Sequence, residues 1–365
     1  MEISVLQNPS AKRRDFLFVL IYFSCKFSAL ERTGLMKKIL LIHTGGTMGM
    51  SPGTSGSVAS TQFINEVFQY VPGARDIAEI DFQSQFTVDS SNISTKHWVD
   101  LGTLLANNMD RFDGFVVIHG TDTMSYTASA LSFMLNNLPK PVILTGSQRP
   151  LSAIRTDAKS NLINAIELAT HDIPEVCIFF DYKLFRGNRA KKISIDDFDA
   201  FASPNFPLLA QVGLHIEIKN NHRMPAGMFR LDKAFSNEVL CLRLFPGLDP
   251  VYFDSLIQSD VKVIILEAFG AGNVPVLDHS VIPFIKKMSQ SGKLVAITSQ
   301  SMNGSVDLQL YDCGKQALDA GAITCGDMTT EAAITKAMYL LGQCEGSTPK
   351  VKNNFTLSLA GEITE

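Results

Sequence analysis

The apolar run Ile39-Leu40-Leu41-Ile42 breaks directly into Thr44-Gly45-Gly46-Thr47-Met48-Gly49-Met50. A short apolar run closed by turn residues reads as a buried strand. The paired glycines let the backbone turn sharply and come close to a ligand. In an open α/β sheet, ligands gather at the carboxyl ends of the strands. Thr47 is therefore a candidate nucleophile, although Gly-Gly after a strand is also an ordinary turn in which threonine is common.

The same unit of strand, polar turn and helix recurs along the chain. Helical spacing covers Gln62 to Tyr70, and Phe86-Thr87-Val88 reads as a strand that ends in Asp89-Ser90-Ser91. Ser94 then caps a helix through Trp98 and Leu105. The run Gly114 to His119 leads into Gly120-Thr121-Asp122-Thr123-Met124 and a helix through Leu135, and Pro141 to Thr145 leads into Gly146-Ser147-Gln148-Arg149-Pro150. An amphipathic helix over 158–169 and a strand over 176–180 follow. This alternation predicts an α/β fold with a mainly parallel sheet wrapped by helices. After Arg186-Gly187-Asn188-Arg189-Ala190-Lys191-Lys192 the periodicity fades, and residues 213–238 read as a linker. A second, smaller α/β series follows, with strands over 261–266 and 294–298 and a helix over 329–341. The expected organisation is an N-terminal domain over 36–212, a C-terminal domain over 239–350 and a tail over 351–365.

With 365 residues the chain is long enough for two cores. A net charge of −4 without Lys/Arg blocks argues against a nucleic-acid partner. The six cysteines are scattered, with no C-x-x-C pair, and Cys177 falls inside a strand-like run, a pattern of reduced thiols. Residues 1–35 stand apart: Lys12-Arg13-Arg14 precedes an apolar run over 16–25 that is too short to span a bilayer comfortably. No cleavage site of the A-x-A kind follows it, whereas Met36 opens a natural start. The segment is expected to be an upstream-start artefact or a disordered extension, with an export or anchoring signal as the weaker alternative. No membrane association is expected.

Three strand ends offer chemistry at one sheet edge: Thr47, Asp89-Ser90-Ser91 and Thr121-Asp122. Together they suit a small zwitterion bearing an amide, with Asp122 facing an ammonium and Ser90 with backbone N–H groups facing a carboxylate. For each end alone a bland reading stands beside this one, since Asp122 and Thr123 can simply cap the following helix. Competing motifs are thin. Gly270-Ala271-Gly272 lacks the third glycine and the helix of a dinucleotide turn, and there is no H-E-x-x-H, Walker loop or G-x-S-x-G elbow. The histidines are dispersed, which gives a metal site little support, and His119 reads as structural more readily than catalytic.

The runs TGGTMGM, HGTDTM over 119–124, and RGNRAKK followed by FDAFASPN over 198–205 resemble the bacterial L-asparaginases of the cytosolic type, and the similarity extends over roughly 36–350. The resemblance implies a two-domain fold, a larger N-terminal and a smaller C-terminal α/β domain. It also implies a cytoplasmic homodimer or homotetramer that hydrolyses L-asparagine to L-aspartate and ammonia with no metal or organic cofactor. By motif match Thr47 is the primary nucleophile, and Thr121, Asp122 and Lys192 form a second catalytic group. Asp89, Ser90 and Ser91, with Thr121 and Asp122, hold the substrate. A threonine hydroxyl needs a neighbouring base, and a lysine behind Thr121 can relay a proton through that hydroxyl. Lys191 next door leaves the register open by one.

Two departures from the family stand out. Residues 48–60 contain no tyrosine, where the family's mobile loop carries one; the matching position falls near Ser57. The cytosolic enzymes also bind asparagine at a second site through an arginine and a cysteine, and Glu267 and Ser301 occupy the matching positions here. A carboxylate there repels the ligand's carboxylate instead of pairing with it. Two rival functions remain open: the amidase subunit of a tRNA-dependent amidotransferase, and a non-catalytic amino-acid sensor.

Overall fold

The computed structural model describes residues 36–50 and 60–365. The expectations for residues 1–35 and for the position near Ser57 lie outside the described residues. Three strands, β1 (Lys38–His43), β2 (Glu79–Ser84) and β3 (Gly114–Ile118), are followed by β4 (Val142–Thr145) and β5 (Val176–Phe180), all mutually parallel. The antiparallel strands β6 (Lys183–Arg186), β7 (Ala210–Val212) and β8 (Ile216–Ile218) extend one edge, giving the order β8-β7-β6-β5-β4-β3-β1-β2. A second sheet, β9 (Val239–Arg243), β10 (Val263–Ala268), β11 (Leu294–Ser299) and β12 (Ile323–Thr324), is wholly parallel in sequence order. Both belong to the single compact unit Lys38–Glu365.

The strand sequences explain why each sheet is covered on both sides. Leu40, Ile42, Phe115, Val117, Val142 and Leu144 face α2 (Thr95–Asn108) and α3 (Met124–Met134). The alternate residues Ile39, Leu41, Val116, Ile118 and Ile143 face α1 (Ser60–Tyr70) and α4 (Ala158–Leu168). Successive strand residues point to opposite faces, so runs that are apolar throughout demand two layers of helix. The second sheet repeats the plan with α5 (Ile282–Gln290) and α6 (Asp312–Asp319) on one face, α7 (Thr330–Gln343) and α8 (Thr348–Phe355) on the other. Phe133 of α3 enters the core between β10, β11 and α7 and stacks on Tyr339 at 5.7 Å, so the α3–α7 contact joins the halves.

The strand order β2-β1-β3 decides where a ligand goes. The chain leaves β1 towards one edge and returns to build β3 on the other side, which makes the carboxyl ends of β1 and β3 the topological switch point. Thr44–Thr47 and His119–Thr121 emerge there.

Three expectations fail. Phe86-Thr87-Val88 is not a strand; β2 lies earlier, at Glu79–Ser84, with alternately exposed residues. It is an edge strand, and its charged outer positions, including the Glu79 partner of Lys38 at 3.0 Å, mask its pattern. The stretch 213–238 is no free linker: it supplies β8, and Arg230–Leu231 pairs with Leu135–Asn136. Strands of two or three residues are too short to show a period. The stretch 351–365 is no tail either. Val351 and Phe355 of α8 are fully buried, and Glu362 lies buried against Lys336 of α7 at 2.5 Å.

Glu362 also accepts the backbone N–H groups of Leu359 and Ala360, and Lys336 donates to the Leu357 carbonyl. Removing one member of a buried, hydrogen-bonded ion pair strands the other charge, at a cost of about 3–5 kcal/mol. Glu362→Gln is therefore expected to lower the thermal midpoint by several degrees, whereas substitution of the exposed Glu365 leaves it unmoved; calorimetry checks this.

Candidate active site

Two backbones meet at the switch point, and glycine is what lets them. Gly45 and Gly46 both adopt left-handed φ angles, 104° and 89°. A Cβ on Gly45 would collide with the Val88 carbonyl, and one on Gly46 would lie 2.6 Å from Cα and N of Gly120. Gly120 in turn has no room for a Cβ, which would sit 2.6 Å from the Ser90 side chain. The loops after β1 and β3 thus touch each other and the loop carrying Asp89-Ser90-Ser91. Thr44 fixes the entry, its hydroxyl and its N–H both donating to the Ile118 carbonyl at 2.9 and 3.0 Å. Thr123 donates to the Ser90 carbonyl at 2.8 Å and ties the other two loops together.

Thr47 opens a short 3-10 turn over Thr47–Gly49 and is half-buried. Thr121 opens another, over Thr121–Thr123, and is buried. The capping reading of Asp122 and Thr123 fails, since neither side chain caps α3. Lys192 instead donates to Thr121 Oγ1 at 2.7 Å and to Asp122 Oδ1 at 2.7 Å. Its side chain is only 16% exposed although Asp122 is 63% exposed, so the lysine is inside and the carboxylate at the rim. Lys191 points the other way, to Glu331 of α7 at 3.1 Å. Asp89 accepts from the hydroxyl and the N–H of Ser91 at 2.6 and 2.8 Å, and these bonds lower its pKa below the usual carboxylate value.

His119 is structural in its contacts. Its Nδ1 faces the Gly120 carbonyl at 2.7 Å and its Nε2 the Thr127 hydroxyl at 2.9 Å, which itself accepts from Trp98 Nε1. Burial pushes its pKa down to about 4, so near neutral pH it is an uncharged prop for the β3 loop. His43, stacked on Phe63 at 4.4 Å beneath Gly49, is likewise pushed down to about 4 by burial.

Comparison with known proteins follows the geometry. Residues 38–224 match the family model for "Asparaginase, N-terminal" and residues 238–355 that for "Glutaminase/Asparaginase C-terminal domain". The chain belongs to the asparaginase family. It is 37% identical over 334 residues to L-asparaginase 1 of Escherichia coli, covering 90% of this chain and 98% of that one. Among solved structures, the thermostable L-asparaginase of Thermococcus kodakarensis superposes with a TM-score of 0.84 at 34% identity, covering 90% of this chain and 99% of that one. L-asparaginase I of Vibrio cholerae gives 0.82 at 37% identity, with coverage of 91% and 100%.

Relative to the asparaginase pattern, Glu267 and Ser301 line one small cavity with Arg243, Lys191 and Thr330. Glu267 is engaged on both oxygens, by the Thr330 hydroxyl at 2.9 Å and by Arg243 at 3.5 Å. Gly270-Ala271-Gly272 is a tight turn closed by a Phe269–Asn273 bridge, and the next helix, α5, begins only at Ile282. Five cysteines among the described residues are free thiols. No helix among the described residues is long and apolar enough to cross a membrane.

Sequence reasoning missed the supports behind the asparaginase motifs. Asp157 is one: buried at the start of α4, it accepts from the backbone N–H groups of Gln148 and Arg149 and fixes the β4 loop, which meets His119 through Gly146. Burial raises its pKa above the usual value despite those bonds. Nothing local announces an aspartate nine residues past Gln148, whose N–H it accepts. Gly46→Ala tests the close approach itself. A Cβ there strains φ and drives the β1 and β3 loops apart, so activity is expected to fall at least about a hundredfold, the penalty for a misplacement of about 1 Å. Circular dichroism should show the fold retained.

Proposed function

We propose that the chain hydrolyses L-asparagine to L-aspartate and ammonia through an acyl-enzyme on Thr47. The observation that carries this reading is the Thr121–Lys192–Asp122 chain of 2.7 Å contacts, set at the switch point one backbone contact from Thr47. Family membership supports the reaction, and the site chemistry supports the roles. Asp89, Ser90 and Ser91 offer a carboxylate, hydroxyls and backbone groups to the α-amino and α-carboxylate ends of an amino acid.

In this reading the Thr47 hydroxyl adds to the side-chain amide carbon as its proton passes by way of Thr121 to Lys192. The first N–H groups of the two 3-10 turns have no partner within their turns and stabilise the oxyanion, where one donor is worth about 10²–10³ in rate. The same relay returns the proton to the leaving nitrogen, the C–N bond breaks and ammonia departs. Water then adds to the ester, gives its proton to the relay, and aspartate leaves as Thr47 regains its hydroxyl hydrogen. The chain works as a homodimer or homotetramer in the cytoplasm, without nucleic acid or membrane.

Thr47→Ala is expected to cut ammonia release from asparagine by about 10³-fold or more, and Lys192→Met by about 10²–10⁴-fold. Hydroxylamine added to the wild type should be converted to aspartyl hydroxamate, the mark of an acyl intermediate. Free ammonia from the purified chain separates this reading from an amidotransferase subunit, which delivers ammonia to its partner. Asparagine binding without turnover in the wild type would mark a sensor.

The second-site departure yields a further expectation. With Glu267 already holding Thr330 and Arg243, velocity against asparagine concentration should be hyperbolic. A sigmoidal curve that turns hyperbolic on substitution of Glu267 would sink the idea.

A further inference from the structure

We propose that Glu331, acting through Lys191, positions Lys192 for catalysis, so that the second half of the chain sets the geometry of a site carried by the first. The proposal rests on the amide-hydrolysis reading above. Lys191 and Lys192 form a strand of two residues paired with Phe201 and Ala202, and successive strand residues point to opposite sides. Neither lysine can slide or twist without the other. Lys192 reaches forward to Thr121 and Asp122, while Lys191 reaches back to Glu331 at 3.1 Å.

Both ends of this short strand are held by firm ground. Phe201 is buried and packs on Phe180 with ring centres 5.0 Å apart. Glu331 stands in the first turn of α7, where the helix dipole favours an ionised carboxylate, behind the Thr329 cap that accepts from the Ala332 N–H. Its side chain is 13% exposed, against 31% for Lys191. Arg243, Glu267 and Thr330 stand beside Lys191 in the same small cavity, and Arg243 and Thr330 already engage Glu267, which leaves Glu331 as the partner of Lys191. Tyr126 of α3 faces the cluster too, its pKa pushed up to about 12 by burial first and by the Glu331 carboxylate second.

The same helix governs the other arm. Helix α3 begins directly after the Thr121–Thr123 turn and packs along α7. Thr121 is therefore referred to α7 through α3, and Lys192 is referred to it through the Lys191–Glu331 pair. The 2.7 Å contact between them closes a loop whose two sides share one helix.

Full-length variants test the arrangement with ammonia release, thermal melting and a double-mutant cycle. Glu331→Gln and Lys191→Met are each expected to lower kcat about ten- to a hundredfold, the scale of a slightly misplaced catalytic group. KM should stay within about twofold, as for an interaction made only in the transition state. Solvent reaches the pair from the Lys191 side, which is 31% exposed, and Glu331→Gln keeps the side chain's volume, so the melting temperature should move by less than about 3 °C. The double variant should be no slower than the slower single, because both break one link, and Lys191→Arg should keep most of the rate. An unchanged kcat, additive losses, or losses that track the melting temperature would each overturn the proposal. An inactive wild type would overturn the hydrolysis reading and this one with it, whereas an active wild type indifferent to Glu331→Gln overturns the positioning alone.

Discussion

Everything at the site hangs on the contact between the backbones of Gly46 and Gly120. Only where two strands separate in topological order is there an opening at the sheet edge. Only where both emerging loops lack side chains can they close that opening down to the width of a small molecule. The contact sets the loop that carries half-buried Thr47 against the loop that carries buried Thr121. The residues flanking the glycines are free to carry chemistry because the glycines carry the packing. Thr44 and Thr123 use their hydroxyls to lock the loops to Ile118 and Ser90, whereas Thr47 and Thr121 begin the two 3-10 turns.

What was legible in the sequence follows from this division. The apolar runs of β1, β3, β4 and β5 are buried on both faces, so their composition alone announces them. The turns after β1 and β3 are legible because glycine and threonine are packed into a few residues. The edge strand β2 was misplaced because one of its faces is wet and its charged residues imitate a loop. The antiparallel strands β7 and β8, three residues each, leave no period to detect. The choice between Lys191 and Lys192 could not be made from the chain either. Two lysines in a row on a strand are equivalent until Glu331 and Asp122 stand on opposite sides.

The misreading of the last fifteen residues has a different cause. The segment Thr356–Glu365 is short, mixes polar with single apolar residues and contains a glycine, so it resembles a free end. It is held by charges and by the packing of Leu359, Ala360 and Ile363 on the second core. Glu362 pairs with Lys336, Gly361 accepts from Arg189 at 2.7 Å, and Thr364 binds Asp327, which in turn pairs with Arg189 at 2.8 Å. A network of this kind carries no periodicity, because its members come from 186–189, 327, 336 and 361–364.

That network also explains how two sheets with separate cores act as one body. Arg186 ends β6 in the first half and Arg189 follows it, and both reach the Gly361 carbonyl at the end of the second. Arg189 belongs to the turn that leads straight into Ala190, Lys191 and Lys192. The segment that delivers the site lysine is therefore clamped just upstream by Asp327 and Gly361, and at Lys191 by Glu331, all from the second half. Apolar contact between α3 and α7 supplies the bulk attraction, since it is non-directional. The directional charge pairs fix the angle at which the halves meet. Lys192, reaching from its own strand to Thr121 and Asp122 on another loop, needs that angle held more tightly than packing alone can hold it, which is a physical reason for charges to be buried where leucines would be simpler.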